Sequence, residues 1–300
     1  MLPTFLIVGA GRSGTTTLAH YCAAHPDIFM CHIKEPNYFT FGAGGYAARG
    51  PGGQRRARSA IKSDSAYHKL FASAKNEAAR GEASVSYFWR PEACQAIHGS
   101  LPGVQIVIIL RHPVDRAFSS YCKLRRDGIE TAESFEAAWR DQPRRMAEDW
   151  YFGQYKRVGQ YADHLSRYFA RFSRRQIAVF LFSDLQNDPA GLCAALYDHI
   201  GVDAGFRPEL TTRRNASGEI ENPVLRAVWY RTAGLRDRLS PFVPLALRGR
   251  LFKAVASQRI KSGSKEELSE PVRCAITAEF RDDILRTQDL IDRDLSDWLA

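Results

Sequence analysis

The sequence lacks the features that mark membrane-spanning and disulfide-bonded proteins. It has no run of about eighteen apolar residues, and the apolar stretch after Met1 is short, includes Arg12 and has no basic leader. Its six cysteines form no C-x-x-C pair, which argues against both a zinc site and a disulfide framework. We therefore expect a cytoplasmic protein with free thiols.

Acidic residues are scarce in two segments, although the whole chain carries a net charge of only +9. Residues 223–262 hold nine basic residues against one acid, Asp237, a net charge of +8. Residues 49–62, RGPGGQRRARSAIK, hold five basic residues and no acid. The glycines and Pro51 in this second segment predict a mobile loop. Both segments indicate an anionic partner.

Apolar runs alternate with helical patterns along most of the chain. Strands are predicted at residues 4–8, 79–84, 104–110 and 176–182. Helices are predicted at residues 15–24, 114–126, 160–172, 189–200 and 271–290. Strands that alternate with helices form parallel sheets with right-handed crossovers. The pattern predicts a P-loop-type, three-layer α/β fold, with a central parallel sheet flanked by helices and a helical C-terminal part.

A glycine-rich loop follows the first predicted strand but lacks the lysine of a nucleotide-binding P-loop. In FLIVGAGRSGTTTL, Gly9, Gly14 and Thr16 fit the template G-x-x-x-x-G-K-[ST]. Thr15 stands at the lysine position. Backbone amides of such a loop and the positive end of the next helix converge on an anion. A tight turn without a ligand is the alternative, but the flanking elements and Arg12 favour phosphate binding.

The second apolar strand, VQIVIIL, also lacks an expected residue. A kinase or NTPase holds magnesium with an aspartate at such a strand end, but here the strand ends in Arg111. Arginine binds phosphate in bidentate fashion and does not bind magnesium. The sequence therefore predicts a second anion site and no metal. Arg111 could instead be a structural partner of Asp115 or Asp184.

Together, FLIVGAGRSGTTTL and LRHPVDRAFSSY resemble the two signatures of sulfotransferases that use 3′-phosphoadenosine 5′-phosphosulfate (PAPS) and release PAP. HIKEPNYF resembles the K-E-P-x-F-F stretch of heparan sulfate 3-O-sulfotransferases and related bacterial carbohydrate sulfotransferases. The resemblance implies a single sulfotransferase domain over residues 1–300, with a basic helical insertion at about 205–262. It also implies that PAPS is bound by Gly11, Arg12, Ser13, Gly14, Thr15, Thr16, Thr17, Arg111 and Ser119.

The same resemblance implies how the reaction is catalysed. Glu35 matches the catalytic base of these enzymes, and Arg12 matches the basic residue that holds the 5′-phosphosulfate. Lys34 is then placed to hold the sulfuryl oxygens. The expected reaction is in-line transfer to a hydroxyl of a carbohydrate or glycolipid. A pair such as Lys34 and Glu35 is also common as a solvent-exposed ion pair, so this alternative stays open.

Other functions remain as alternatives. A P-loop kinase or NTPase-like protein would bind ATP with magnesium, and a non-catalytic module would bind an anion without turnover. Nucleic-acid binding has little support, because no recognised module is present. Residues 223–262 interleave apolar and basic residues, which fits either a peripheral membrane contact or two solvent-exposed helices. The basic residues of RIKSGSK, at 259–265, only loosely match the loop that closes over the 3′-phosphate in the family.

Overall fold

The computed structural model describes residues 1–210 and 268–300. Its central sheet has five parallel strands in the order β2-β3-β1-β4-β5. The strands are β1 Phe5–Gly9, β2 Ile28–Met30, β3 Ala79–Ala83, β4 Gln105–Leu110 and β5 Ile177–Leu181. The predicted α/β class with a central parallel sheet is confirmed. Four of these strands match predicted ones, whereas β2 was missed because three residues are too short for a periodic signal.

Helices cover both faces of this sheet. Their bounds are α1 Thr15–Ala24, α2 Tyr38–Phe41, α3 Gly53–Ser59, α4 Asp64–Lys69, α5 Ser86–Trp89, α6 Pro91–Ser100, α7 Pro113–Arg126, α8 Phe135–Arg140, α9 Gln142–Ala147, α10 Tyr155–Gly159, α11 Tyr161–Phe169, α12 Phe182–Asn187, α13 Pro189–Ile200 and α14 Glu270–Ile291. All five predicted helices are present, and α14 forms the helical C-terminal part. Short 3-10 turns lie at Arg174–Gln176, before β5, and at Ser296–Trp298, after α14.

Strand β1 is buried on both faces and divides its side chains between two cores. Phe5 and Ile7 pack with α1 and α13 on one face, whereas Leu6 and Val8 pack with the large core on the other. This alternation is the two-residue period of a strand. Each fully buried side chain of this size contributes about 1.5–3 kcal/mol. The loop that follows β1 therefore rests on a strongly anchored strand.

The basic segment at residues 49–62 is not the loop that the sequence predicted, because it contains helix α3. Gly52 adopts the left-handed conformation (φ 72°) that lets the chain turn into this helix. Ala57 then packs against a small core built around Tyr151. The amide of Tyr151 also donates to the carbonyl of Arg49 at 2.9 Å. These contacts are distant in sequence, so glycine content alone could not reveal them.

Most of the proposed basic insertion lies outside the described residues. Residues 205–210 carry no helix or strand, and residues 211–262 are not described. The predicted contacts at 259–265 also lie outside the described residues, since 211–267 are not described. None of the helices in residues 1–210 and 268–300 has the length and apolar character needed to cross a membrane.

Candidate active site

The glycine-rich loop joins β1 to α1 at the carboxyl edge of the sheet. Gly14 precedes α1 with φ 104°, and a Cβ atom there would lie 2.7 Å from Leu185. Glycine is therefore required for both its conformation and its small size. The first two amides of α1, those of Thr15 and Thr16, have no acceptor within the helix, whereas that of Thr17 donates to the carbonyl of Gly14 at 2.9 Å. This is the local geometry that binds phosphate at a helix N-terminus.

Ser13 supplies a polar atom that suits an anionic ligand. Its side chain is fully buried, and its hydroxyl has no hydrogen-bond partner among the described residues. Thr15 is also buried, whereas Thr16 and Thr17 are partly exposed on the first turn of α1. A buried hydroxyl without a partner is unfavourable, and a phosphate oxygen would satisfy it. The loop therefore fits a phosphate group by its chemistry.

The two predicted anion-binding motifs lie next to each other. Arg12 donates from Nε to Ser119 Oγ on α7 at 3.0 Å. Arg111, at the end of β4, approaches the carbonyl oxygen of Arg12 with its Nη1 atom at 3.5 Å. These contacts join residues 107 and 99 positions apart in sequence. The structure thus brings together the loop, Arg111 and Ser119 as one cleft.

This cleft concentrates positive charge. Burial lowers the pKa of Arg12, and the charges of Arg126 and Arg111 lower it further, against the opposite effect of Asp127. Guanidinium groups that repel one another are stabilised when a multiply charged anion binds among them. Arg126, in the last turn of α7, was not predicted from the sequence. In the sequence, only its position at the end of the helix that follows Arg111 connected it with this site.

Arg111 has little role as a structural ion pair. Its Nη2 atom lies 3.8 Å from Asp115, while Asp115 is also hydrogen-bonded to Arg273 of α14. The other possible partner, Asp184, is paired with Arg293 at 2.9 Å. The guanidinium of Arg111 instead lies over the ring of Phe182, 4.8 Å from its centre. It is therefore held in position with much of its hydrogen-bonding capacity left for a ligand.

The Glu35 turn, residues 34–37, lies beside β3. The amide of Glu35 donates to the carbonyl of Ala83 at 2.9 Å. Glu35 has φ 59° and Asn37 has φ 51°, so two non-glycine residues around Pro36 adopt the left-handed conformation. Such residues cost of order 1–3 kcal/mol each and concentrate at functional sites. The motif residues therefore form a constrained turn rather than a solvated surface segment.

Both oxygens of the Glu35 carboxylate contact cations. Lys34 Nζ lies 3.1 Å from Oε1, and Arg56 of α3 contacts Oε2. Burial and the charges of Arg56 and Arg12 together lower the pKa of Lys34 to about 8, against the opposite effect of Glu82. The Glu35 turn borders the phosphate loop through the chain after β3, because a Cβ atom at Gly11 would lie 3.3 Å from Val85, two residues beyond Ala83, to which the amide of Glu35 donates. Arg56 was not assigned to the site from the sequence, because it comes from a segment predicted to be a loop.

Several residues near the site are structural. His112 accepts from the amide of Val114 at 3.2 Å, and its other ring nitrogen lies 3.0 Å from the carbonyl of Trp298. Tyr87 and Phe88 are fully buried in the main core, so they offer no stacking surface. No group of three or more histidines, cysteines or acids within residues 1–210 and 268–300 is arranged to hold a metal ion.

Fold and site together define an α/β protein suited to a ligand with several phosphate-type groups. The profile of the sulfotransferase family matches residues 3–206. The chain therefore belongs to the sulfotransferase family, and the family predicted from its motifs is confirmed.

Curated relatives include enzymes that act on heparan sulfate. Heparan sulfate glucosamine 3-O-sulfotransferase 6 of Mus musculus is 27% identical over 203 residues, which are 67% of this chain and 52% of the relative. Human heparan sulfate glucosamine 3-O-sulfotransferase 3B1 is 26% identical over 204 residues, 67% of this chain and 46% of the relative. The chain thus spans about half the length of the curated relatives it matches.

Solved structures support the same fold. A sulfotransferase from Alicyclobacillus acidocaldarius has a TM-score of 0.78 and 30% identity, with 100% of both chains covered. A mouse sulfotransferase complexed with PAP has a TM-score of 0.51 and 13% identity, with 97% of this chain and 86% of that chain covered. At this identity the second likeness supports the fold alone. The P-loop-type architecture with flanking helices is thereby confirmed.

Proposed function

We propose that this protein transfers the sulfuryl group of PAPS to a hydroxyl of a carbohydrate or glycolipid, with Glu35 as general base. One observation carries the proposal. Glu35 is paired with Lys34 at 3.1 Å and its amide donates to the carbonyl of Ala83, and Val85, two residues further on, lies against Gly11 of the phosphate loop. A carboxylate beside an anion-binding cleft suits transfer of an anionic group to a hydroxyl.

Two groups of residues would hold the donor. The loop from Gly11 to Thr17 would bind the 5′-phosphosulfate with its amides, with the unpartnered hydroxyl of Ser13 and with Arg12. Arg111 and Ser119 would bind the 3′-phosphate. When bound, PAPS supplies an activated sulfuryl group, and its leaving group is PAP, which departs through the 5′-phosphate oxygen. The PAP complex of the mouse neighbour is consistent with this donor.

Three side chains would act on the reacting atoms. Glu35 would accept the proton of the acceptor hydroxyl as that oxygen attacks in line. The Arg12 guanidinium would stabilise the negative charge that develops on the leaving oxygen. The ammonium of Lys34, which lies beside Glu35, would hold the sulfuryl oxygens. The ion pairs with Lys34 and Arg56 fix the orientation of the Glu35 carboxylate.

A carbohydrate acceptor is supported by the relatives that act on heparan sulfate. Helix α3 adds basic residues near Glu35, and one of them, Arg56, contacts Glu35 directly. The cytoplasmic location stays a prediction. The membrane contact of residues 223–262 also stays a prediction, because these residues lie outside the described ones. The membrane contact is tested by sedimentation with anionic liposomes. Absence of salt-sensitive binding would rule this contact out.

The decisive experiment is transfer of radiolabelled sulfate from PAPS to a panel of glycans, glycolipids and phenols. We expect labelled product with a glycan or glycolipid, and none with phenols. Thermal stabilisation by PAP and by ATP with magnesium is measured in parallel. Stronger stabilisation by ATP would favour a kinase, and PAP binding without transfer to any acceptor would favour a non-catalytic module.

A further inference from the structure

A buried carboxyl group lies directly behind the Glu35 turn. Glu82, in β3, is fully buried. Tyr67 donates its hydroxyl hydrogen to Oε1 at 3.3 Å, and Ser84 donates to Oε2 at 2.9 Å. Tyr87 also hydrogen-bonds this carboxyl. Burial of a carboxylate is unfavourable unless hydrogen bonds or a cation compensate it, so these partners indicate what Glu82 does.

One chain of hydrogen bonds runs from Glu82 to the Glu35 turn. Ser84 Oγ accepts from the amide of Asn37 at 3.1 Å while it donates to Glu82. Asn37 Nδ2 in turn donates to the carbonyl of Glu35 at 2.7 Å. These bonds hold the two left-handed residues of the turn. A side chain locked by such a network loses little freedom when substrate binds.

Glu82 also acts on Lys34 through charge. Burial raises the pKa of Glu82 to about 7, against the effect of its hydrogen bonds and of Lys34. The charge of Glu82 raises the pKa of Lys34, which burial, Arg56 and Arg12 lower to about 8. The pKa values of both groups are thus shifted towards neutral pH. Lys34 is 37% exposed, so solvent weakens but does not abolish this coupling.

The other titratable groups that face Glu82 stay neutral in this range. They are Tyr67 of α4, Tyr87 of α5, Tyr168 of α11 and Cys31 after β2. Burial raises the pKa of each tyrosine well above its ordinary value and that of Cys31 to about 11. Lys34 is therefore the group whose charge changes together with that of Glu82.

We propose that Glu82 is a positioning residue of this active site, which fixes the Glu35 turn, and with it Lys34 beside Glu35, through Ser84 and Asn37. The inference rests on the proposed roles of Glu35 and Lys34 in sulfuryl transfer. It assigns to Glu82 no contact with the substrate.

The charge effect is tested by acylation of lysine amines as a function of pH, read by peptide mass spectrometry. The exposed Lys62, Lys69 and Lys75 serve as internal standards. We expect Glu82→Gln to lower the titration midpoint of Lys34 by about half a pH unit. Tyr67→Phe, which removes a bond that favours ionised Glu82, shifts it less and in the same direction. Equal midpoints in the wild type and both variants overturn the proposal.

The positioning effect is tested by kinetics with a matched control. Glu82→Gln is expected to lower kcat about 10- to 100-fold while PAP affinity is unchanged, because the phosphate loop does not rest on Glu82. Ser86→Ala removes a 2.7 Å bond to Asn37 Oδ1 without touching Glu82, so it lowers kcat without moving the Lys34 midpoint. Loss of PAP affinity together with kcat in Glu82→Gln would assign it a merely structural role and overturn the inference.

The two proposals fail separately. Absence of sulfate transfer by the wild type counts against the proposed function, whereas acylation of Lys34 still decides the coupling between Glu82 and Lys34. Circular dichroism and thermal melting check the fold of each variant. Tyr67→Phe keeps a ring of the same size in the core and so provides the test even when Glu82→Gln does not fold.

Discussion

The two sides of the cleft are built in different ways. The donor side, residues 9–17 with Arg111 and Ser119, consists of a strand end, a glycine-rich loop and the starts of two helices. The acceptor side, residues 34–37 with α3, consists of a constrained turn and a helix of seven residues. The donor side joins two segments, and each takes its shape from a strand end and the helix that follows it directly in sequence. The acceptor side depends on contacts with β3 and with residues around Tyr151.

This difference separates binding from chemistry. A phosphate site needs amides and arginines whose positions follow from the sheet, and such a site tolerates small shifts. A general base must lie within hydrogen-bond reach of one hydroxyl, so its turn needs support from several directions. We therefore expect changes on the acceptor side to act on turnover and changes on the far donor side to act on affinity for PAP.

The largest effect is expected from Glu35→Gln. The amide keeps the size of the side chain but cannot accept the hydroxyl proton, so kcat should fall by about 10²–10⁴-fold. The affinity for PAP, measured by calorimetry, should be unchanged. Turnover within tenfold of the wild type would show that Glu35 is only an ion-pair partner of Lys34 and Arg56.

Arg12→Ala should have the next largest effect and should act on both sides of the comparison. Loss of one group that stabilises the leaving oxygen costs about 10²–10³-fold in kcat. Because Arg12 also contacts Ser119 and repels Arg111, we expect PAP affinity to change as well. Arg12→Lys is the control, since it keeps a positive charge and should recover part of kcat. An unchanged kcat in Arg12→Ala would confine Arg12 to the donor site.

A smaller effect, on affinity alone, is expected from Arg111→Ala. A hydrogen bond to a charged group contributes about 1.5–3 kcal/mol, so PAP should bind about 10- to 150-fold more weakly. Adenosine 5′-monophosphate, which has no 3′-phosphate, is the control ligand and should bind both proteins equally. Equal weakening of both ligands would show that Arg111 shapes the cleft through Asp115 or Phe182 and does not bind the 3′-phosphate.

The same contrast explains what the sequence revealed. The glycine spacing and the arginine at the end of β4 are local signals, and α1 and α13 have their predicted bounds. Arg56 and Glu82 gave no such signal. Arg56 lies 21 positions from Glu35, and Glu82 acts through Ser84, which lies 47 positions from Asn37. Side chains that meet only after the sheet is assembled leave no periodic pattern in a single sequence.

The smallest effect is expected from Arg56→Ala, and it measures how much of the acceptor side α3 supports. The ion pair is partly exposed, with side-chain exposures of 25% and 23%, so it contributes about 0.2–1 kcal/mol. This corresponds to a loss of about fivefold or less in kcat/KM for the acceptor, because Lys34 still holds the other oxygen of Glu35. Arg58→Ala, an exposed arginine of the same helix, is the matched control for loss of positive charge.

A loss larger than about tenfold in Arg56→Ala alone would mean that this arginine contacts the acceptor as well as Glu35. An equal loss in both variants would instead indicate attraction of an anionic acceptor by the charge of α3 as a whole, and that loss would shrink at high salt. Either result would assign α3 a role in recognition of the acceptor and not only in support of Glu35. The acceptor side would then carry affinity as well as turnover, and its contrast with the donor side would be limited to how each is folded.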